Sequence, residues 1–505
     1  MGEARTVVTL QEAFEAARLH HQGGRLAEAE TIYRQILEAS PERADVTHLL
    51  GVLAGQTGRS EEAVALLRRS IALRPDHAES HKNLGIALKA TGQLEDAAAA
   101  FRQAIALKPD YAEACKNLGS TLHHAGRLDE AISAYRQAIT LQPGFADAHD
   151  NLGVALREKG LLDEAESAGR QAVALNPQRP ESHNNLGNAL YDKRRLDEAI
   201  AAYRTALELR PNFAQAFNNL GIALKAKGDA AAAIGAFRSA VERKPDYADA
   251  FYNLGTALKD MGHSGEAVSA FRKALELKPD SPDWQHVLSA LCGDGSARTS
   301  PPGYVRTLFD QYAHRFDEHL VGKLGYHVPE LFREVVAAAA PDKQFDILDL
   351  GCGTGLCGAV FRTLAKTLAG VDLSSAMIEK AAGRGIYDRL VTGDLCGAMR
   401  GGGEFDLILA GDVFVYVGEL AEVFAGAAYS LRSGGLLAFS LERHDGEGFV
   451  LRPSARFAHS LGYIRELAET HGFSELQVRE IAVRKEAADA VAGWLVLLKK
   501  REAVG

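Results

Sequence analysis

Cysteines and long apolar runs are scarce in this chain. It contains five cysteines in 505 residues, and no two of them form a CxxC pair. This spacing argues against a zinc site and a disulfide framework, and it indicates a reducing compartment. No apolar run reaches the roughly 18 residues that a membrane span needs, and the N-terminus lacks the basic and apolar segments of an export signal. We therefore expect a cytoplasmic protein with no membrane partner and no bound metal.

A strongly basic surface is also missing. The chain has 66 acidic and 57 basic side chains, which gives a net charge of −9. The excess is spread evenly, with −4 over residues 1–300 and −5 over residues 301–505. Because domains that bind nucleic acid usually carry a basic face, the composition predicts no nucleic-acid partner. The length allows about two to four domains.

Residues 1–300 repeat with a period of 34. Glycines and alanines recur every 34 residues at positions where two helices would approach closely. Prolines recur every 34 residues at positions where the second helix would end. The prolines are Pro41, Pro75, Pro109, Pro143, Pro177, Pro211, Pro245 and Pro279. The pattern resembles tetratricopeptide repeats, which implies an all-α superhelix of eight repeats over residues 10–281. A capping helix is expected over residues 282–292.

From the third repeat onward, an asparagine recurs two residues before the repeat glycine, on the first helix of each pair. The six positions are Asn83, Asn117, Asn151, Asn185, Asn219 and Asn253. Asparagine is a poor helix former, so local propensity does not explain the row. It resembles the asparagines of the concave surface of O-linked N-acetylglucosamine transferase, which implies that the groove binds an extended polypeptide. The alternative is that the asparagines cap or space adjacent helices.

The clearest chemical motif is Asp346–Gly358, which reads DILDLGCGTGLCG. It predicts a buried strand that runs into a loop where Gly351, Gly353 and Gly355 let the backbone approach a ligand closely. A second apolar run ends at Asp372, where an acid can accept hydrogen bonds from ribose hydroxyls. The segment is therefore expected to form a nucleoside-binding βαβ unit. Taken alone, its glycines also fit the GxGxxG of a dehydrogenase.

The combined pattern D-x-G-x-G-x-G resembles motif I of class I S-adenosylmethionine-dependent methyltransferases. The segments VDLSSAMIEKA (371–381), GDL (393–395) and FDLILAGDVFVYV (405–417) are similar to the later motifs of that family. From residue 304 onward the chain resembles bacterial methyltransferases that carry tetratricopeptide repeats, and more loosely the ubiquinone/menaquinone group. The resemblance implies an α/β Rossmann-like domain over residues 304–500, with seven strands in the order 3-2-1-4-5-7-6.

The resemblance also implies S-adenosylmethionine as cofactor and a set of residues that contact it. Asp372 would bind the ribose hydroxyls, Asp394 the adenine amino group, and the glycine loop the methionyl and ribose portions. Met377 would pack on the adenine, although a plain core role suits a methionine equally well. The expected cofactor residues are Asp349, Gly351, Cys352, Gly353, Gly355, Asp372, Leu373, Met377, Asp394 and Leu395.

Residues 293–303, rich in Gly, Ser and Pro, are expected to form a linker. After them, FDxxAxxFD resembles the YDxxAxxYD cap of many small-molecule methyltransferases. By this resemblance Phe309, Tyr312 and Phe316 would close over the methionine end of the cofactor. The alternative is an aromatic stripe that only packs on the core.

A general base is needed only if the methyl acceptor carries a proton at neutral pH. Asp412, His444 and His459 lie near the predicted carboxyl ends of strands, where open α/β sheets bind ligands. The sequence therefore favours a methyltransferase whose repeats bind a polypeptide substrate or partner. Two alternatives stay open: a methyltransferase for a metabolite or quinone-like acceptor that uses its repeats for assembly, and a non-catalytic scaffold.

Overall fold

The computed structural model describes residues 9–293, 295–313, 316–318, 320, 325–341, 343–400, 404–486 and 489–502. The chain divides into two compact units, Met1–Pro245 and Asp246–Gly505. The division lies inside the predicted repeat array and not at the predicted linker over residues 293–303. The reason is that the last helix pair contacts the capping helix, which in turn packs against the α/β elements.

The first unit consists of antiparallel helix pairs with short connections. The helices are α1 Leu10–Gln22, α2 Leu26–Ala39, α3 Ala44–Gln56, α4 Ser60–Leu73, α5 Ala78–Ala90, α6 Leu94–Leu107, α7 Ala112–His124, α8 Leu128–Leu141, α9 Ala146–Glu158, α10 Leu162–Leu175, α11 Pro180–Asp192, α12 Leu196–Leu209, α13 Ala214–Lys227 and α14 Ala230–Arg243. The first helices of neighbouring repeats contact one another, as do the two helices of each pair.

Glycine is required where the two helices of a repeat cross. A Cβ atom at Gly187 would lie 2.6 Å from the Tyr203 ring, and one at Gly221 would lie 2.6 Å from the Phe237 ring. The ring of the second helix therefore occupies the space above the glycine of the first, and both rings are almost fully buried. This close approach gives each 34-residue repeat its interior, as the periodic glycines predicted.

The second unit begins with a helix pair and a capping helix and continues as an α/β domain. Its helices are α15 Ala248–Asp260, α16 Ser264–Leu277, α17 Pro282–Cys292, α18 Pro302–Tyr312, α19 Val328–Ala339, α20 Leu356–Phe361, α21 Ser375–Gly383, α22 Leu395–Ala398, α23 Ala421–Ser430 and α24 Leu461–Thr470. Its strands are β1 Phe345–Leu350, β2 Ala365–Asp372, β3 Arg389–Thr392, β4 Phe405–Ala410, β5 Leu431–Arg443, β6 Phe449–Leu451, β7 Phe457–His459, β8 Phe473–Glu486 and β9 Asp489–Lys500. Residues 314, 315, 319 and 321–324 of the predicted lid segment lie outside the described residues.

The sheet confirms the predicted fold class and differs from the prediction in one detail. Without the strands β6 and β7, the order is β3-β2-β1-β4-β5-β9-β8. Because β8 and β9 are then the sixth and seventh strands, this is the predicted order 3-2-1-4-5-7-6. Strand β9 is antiparallel to β5 and to β8. The difference is an inserted hairpin, β6–β7, whose second strand pairs in parallel with the end of β5. The carboxyl ends of β1, β2, β3 and β4 meet at one edge of the sheet, which is where such folds bind ligands.

The predicted linker is instead built into this α/β domain. The backbone N–H of Ser300 donates to the carbonyl of Tyr416 at 2.9 Å, and the N–H of Glu419 donates to the carbonyl of Arg298 at 2.8 Å. His286 of the capping helix α17 is 3% exposed, and its Nε2 lies 3.2 Å from the carbonyl oxygen of Ala455 and 3.1 Å from Ser300 Oγ. Residues 298–302 of the predicted linker, here called the strap, therefore pair with the α/β domain through their backbone.

Candidate functional site

A cavity of about 910 Å³ lies at the carboxyl ends of the parallel strands. A volume of this size can hold a cofactor together with a small acceptor group, because ligand pockets typically span roughly 300–1,000 Å³. Its walls come from the loops after β1, β2, β3 and β4, from helix α18, from the strap and from Arg456 and Arg484.

The loop after β1 exposes backbone in place of side chains. Gly351 and Gly353 have φ angles of 61° and 54°, a region that side chains other than glycine rarely adopt. A Cβ atom at Gly351 would lie 2.5 Å from a methyl carbon of Val413. Both glycines line the cavity, so the main chain itself forms this part of the wall. Such a backbone cradle fits the methionyl and ribose portions of S-adenosylmethionine.

Asp372 holds the glycine loop against the end of β2. Its Oδ2 accepts from the N–H of Gly353 and its Oδ1 from the N–H of Ser374, both at 2.9 Å. Burial raises the pKa of Asp372 above its usual value, while the two backbone N–H bonds oppose that shift. Each carboxylate oxygen accepts two hydrogen bonds, so capacity remains for two hydroxyl donors. Asp372 lines the cavity and suits a ribose.

Other predicted cofactor residues divide into those that line the cavity and those that lie behind it. Asp394 lines the cavity and caps α22, where its Oδ1 accepts from the N–H of Gly397 at 2.7 Å. The lining also includes Cys352, Leu373 and Leu395. Asp349, Gly355 and Met377 do not belong to it.

Asp349 and Met377 have packing roles instead. Asp349 is 1% exposed, accepts from the hydroxyl of Tyr387 at 2.6 Å, and has a pKa that burial raises to about 7. Met377 is fully buried, in keeping with the core role that the sequence left open. The structure thus gives both side chains packing contacts outside the cavity lining.

The aromatic residues of FDxxAxxFD line the cavity. Phe309, Tyr312 and Phe316 form a chain of edge contacts, and the Phe309 ring centroid lies 5.4 Å from that of Tyr416. The two aspartates of the motif face the cofactor loops: Asp310 accepts from the hydroxyl of Ser374 and Asp317 from that of Thr354. The aromatic residues of the motif therefore form part of the cavity wall, and its two aspartates attach the motif by hydrogen bonds to the loops after β1 and β2.

Asp412 lies directly after β4 and lines the same cavity. Its φ of 58° is unusual for a residue with a side chain, and such strain is often found at functional positions. Nη1 of Arg484 lies 2.9 Å from Asp412 Oδ1, and Nη2 of the same side chain pairs with Glu442. Arg484 and Glu442 are 1% and 2% exposed, so this ion network holds the Asp412 carboxylate in place.

Sequence analysis missed Arg484, Arg456, Tyr326 and the strap. Strict alternation along β8 would send Arg484 to the side opposite Ile481 and Val483, but a bulge between Ala482 and Arg484 turns it inward. Tyr326 and Arg456 line the cavity, and Arg456 lies over the ring of Tyr416. The sequence carries no distinct signal for Arg484, because it is one of several charged residues on β8.

The two predicted catalytic histidines, His444 and His459, lie outside the cavity lining. His444 is half-exposed on the segment after β5. His459 is fully buried, and its Nε2 lies 2.9 Å from the carbonyl oxygen of Val417 and 3.0 Å from that of Gly418. Carbonyls only accept hydrogen bonds, so Nε2 carries the proton and His459 anchors the segment after β4.

This buried histidine predicts an acid-sensitive fold. Burial lowers the pKa of His459 to about 4, whereas an unfolded histidine takes up its proton near pH 6.5. The unfolded state therefore binds more protons between these values, and the free energy of unfolding falls as the pH falls through that window. The full loss is about 3 kcal/mol.

The measurement is urea unfolding from about pH 7 to 4.5, followed by tryptophan fluorescence. Both tryptophans, Trp284 and Trp494, belong to the second unit. His459→Gln keeps an N–H donor without a titrating group, so we expect a shallower pH dependence for this variant. Equal slopes for the variant and the wild type would contradict the assignment.

The predicted asparagine row is half-buried, and part of it bonds within the repeats. Asn219 Nδ2 donates to Asn184 Oδ1 at 3.0 Å and to Asn188 Oδ1 at 3.1 Å. Asn83 Nδ2 lies 3.4 Å from a ring nitrogen of His48. These contacts join first helices of adjacent repeats, as the spacing alternative predicted. Among the described hydrogen bonds, none involves the side chain of Asn117 or Asn151.

Two searches over the described part of the chain gave negative findings. No cluster of three or more His, Cys, Asp or Glu side chains in that part is arranged to hold a metal ion. None of its helices combines the length and apolar character needed to cross a membrane.

Comparison with protein families gives matches for both units. The family described as Methyltransferase domain matches residues 348–439. Families described as Tetratricopeptide repeat match residues 202–235 and 224–291. The family described as Cilia and flagella-associated protein 70 C-terminal domain matches residues 2–218.

Individual proteins are similar over parts of the chain. Ubiquinone biosynthesis O-methyltransferase of Thiobacillus denitrificans is 27% identical over 150 residues, which cover 28% of this chain and 64% of that protein. Methyltransferase-like protein 27 of Homo sapiens is 38% identical over 85 residues, 16% of this chain and 34% of that protein. The chain thus spans about one to two thirds of the length of these relatives.

Among solved structures, the anaphase-promoting complex hetero-tetramer Cut9-Hcn1 aligns with a TM-score of 0.42 and 21% identity. The alignment covers 53% of this chain and 52% of that one. The family matches show tetratricopeptide repeats over residues 202–291 and a methyltransferase domain over residues 348–439, which lie in the second unit.

Proposed function

We propose that the chain is an S-adenosylmethionine-dependent methyltransferase whose repeats bind a polypeptide. The observation that carries the first half is that the glycine loop, Asp372 and Asp412 line one cavity. The O-methyltransferase relatives support transfer to a protonated oxygen. The acceptor is then a hydroxyl-bearing metabolite or a side chain of the bound polypeptide.

The cofactor would supply an activated methyl group on sulfur, and the protein would supply alignment and a dry enclosure. Phe309, Phe316 and Tyr416 exclude water from the middle of the cavity. Asp412, fixed by Arg484, is positioned to accept the proton that an acceptor hydroxyl loses. Asp372 and Asp394 accept hydrogen bonds from the nucleoside. No step needs a metal ion, and the cited residues suffice for this chemistry.

A transfer assay tests the proposal with the full chain. Methyl-labelled S-adenosylmethionine is incubated with the protein and with a cell extract separated into proteins and small metabolites. We expect label in one of the two fractions, above the level given by the Asp372→Ala variant. Label in the protein fraction would identify a polypeptide substrate, and label in the metabolites would identify the alternative. Incorporation equal to that of the variant in both fractions would contradict the proposal.

Polypeptide binding by the repeats is supported by Asn117 and Asn151. Their half-buried amides lie on the first helices of adjacent repeats, and a primary amide offers both donors and an acceptor to a peptide backbone. We expect Asn117→Ala with Asn151→Ala to weaken binding of peptides selected on the wild type by roughly tenfold.

Fluorescence anisotropy with peptides selected from a displayed random library measures this effect. The control carries Asn176→Ala and Asn212→Ala, which remove two exposed asparagines outside the row. Equal affinities for the two double variants would exclude the row from peptide binding.

A further inference from the structure

Charged side chains on the first helices of the repeats pair with the next repeat at fixed spacings. His123 Nε2 lies 2.7 Å from Glu158 Oε2, and Arg157 Nη1 lies 3.1 Å from Asp192 Oδ2, both at a separation of 35 residues. In a second row, Lys82 Nζ lies 3.2 Å from Glu113 Oε2 at a separation of 31 residues. In these three pairs, the period of the repeats places an acid of the following repeat against a basic side chain.

Lys89 is the preceding member of the first row and lacks this acid. The spacing places its partner at residue 124, which is a histidine. The Lys89 ammonium instead donates to Ser120 Oγ at 2.6 Å. Since Lys89 is half-buried, its charge is partly removed from water without a carboxylate to compensate it.

Lys116 follows Lys82 in the second row. The carboxylate that the spacing assigns to Lys116 forms an ion pair with a different residue. The spacing places its partner at Asp147, but that carboxylate pairs with Arg179. The Lys116 ammonium lies over the Phe145 ring, 5.8 Å from the centroid. Within the described residues, no carboxylate oxygen lies within ion-pairing distance of Lys89 or Lys116.

The two lysines belong to one local cluster. Burial, and then the charge of Lys116, lower the pKa of Lys89, so the two groups are close enough to repel each other. Glu113, the acid nearest along helix α7, is already paired with Lys82. Two uncompensated cations thus lie on the first helices of adjacent repeats in a chain whose net charge is −9.

Two neighbours of the lysines favour a polypeptide as the source of the missing carboxylates. Asn117 directly follows Lys116 and carries an amide that can bind a peptide backbone. Ile86, one turn before Lys89 on α5, is 44% exposed and offers an apolar contact. A nucleic acid would need a longer basic face than two lysines provide.

We propose that an acidic polypeptide segment docks across helices α5 and α7, with carboxylates bound by Lys89 and Lys116. The proposal rests on the proposed polypeptide binding by the repeats and specifies the chemistry of the partner. It is independent of whether the second unit transfers methyl groups.

The test measures anisotropy of three labelled probes with the full chain: a peptide of alternating Glu and Ala, one of alternating Lys and Ala, and a single-stranded oligonucleotide. We expect saturable binding of the acidic peptide, weakened by added salt and reduced roughly tenfold by Lys89→Gln with Lys116→Gln. The control, Lys108→Gln with Lys366→Gln, removes the same charge at two exposed positions and is expected to bind like the wild type.

Equal loss in the two double variants would overturn the proposal, because the effect would then be one of net charge. Preference for the oligonucleotide or for the basic peptide would overturn it as well. Calorimetry with S-adenosylmethionine separates this result from the proposed enzyme function, since the lysine variant is expected to bind the cofactor as the wild type does. Neutral peptides selected on the wild type are expected to bind the lysine variant with unchanged affinity, which would show that its groove is intact and that the loss concerns acidic peptides.

Discussion

Replacing Arg484 with methionine is expected to lower the free energy of unfolding of the second unit by about 3–5 kcal/mol. The guanidinium is 1% exposed and compensates two acids, Asp412 and Glu442, of which the second is 2% exposed. Methionine has a similar length and no charge, so the variant removes the ion pair of Asp412 with Arg484 and leaves Glu442 with the longer 3.7 Å pair to Arg452. Like charges in a region removed from water repel strongly.

Arg479→Met is the matched control because Arg479 lies on the same strand. Its ion pair with Glu334 is exposed, and such pairs contribute about 1 kcal/mol or less. Denaturant unfolding followed by tryptophan fluorescence reports the second unit, since both tryptophans belong to it. If Arg484→Met were as stable as Arg479→Met, the ion network would have no structural role.

Replacing Asp372 with alanine is expected to lower the affinity for S-adenosylmethionine by roughly a hundredfold, because hydrogen bonds to a charged group contribute about 1.5–3 kcal/mol each. The variant loses the acceptor for two hydroxyls. It also leaves the N–H groups of Gly353 and Ser374 without their carboxylate, so the glycine loop loses its attachment to β2.

Isothermal calorimetry measures this effect, with Asp445→Ala as the control because Asp445 is exposed and does not line the cavity. A conservative Asp372→Asn variant keeps an acceptor oxygen and should recover part of the affinity. An Asp372→Ala variant that binds as tightly as the control would remove Asp372 from the cofactor site.

The repeats and the α/β order were predictable because their signals are local or periodic. Proline every 34 residues fixes the ends of the second helices, and the run from Asp346 to Gly358 specifies a strand followed by a glycine turn. The sheet order followed from alternation of strands and helices together with the family resemblance. The cavity lining contains Asp372, Asp394 and Asp412, which the sequence had singled out.

The surroundings of Asp412 were not predictable because segments that are distant in the sequence build them. Arg484 meets Asp412 and Glu442 across 72 and 42 residues, and a bulge reverses the side to which simple alternation would send it. The strap was predicted to be a linker because its Gly, Ser and Pro residues are typical of loops. A loop can nevertheless form backbone hydrogen bonds with a neighbouring segment, as the strap does. His459 follows the same rule: its position at a strand end suggested catalysis, but burial makes it an anchor.

The two compact units divide the chain at a different place from the predicted domains. The repeat period continues through residue 281, so the sequence predicts one array ending at the capping helix. Packing of α17 against the hairpin β6–β7, through Ala290 with Leu451 and Phe457, makes the last helix pair part of the second unit. A truncation that begins at residue 304 would therefore remove the strap from the cavity wall.

The most direct test of the central claim is calorimetric titration of S-adenosylmethionine and S-adenosylhomocysteine into the full chain. We predict saturable binding of both ligands, with one molecule per chain and with loss of affinity in the Asp372→Ala variant. Absence of binding of either ligand to the correctly folded chain would contradict the assignment of the cavity as a cofactor site and with it the proposed methyl transfer.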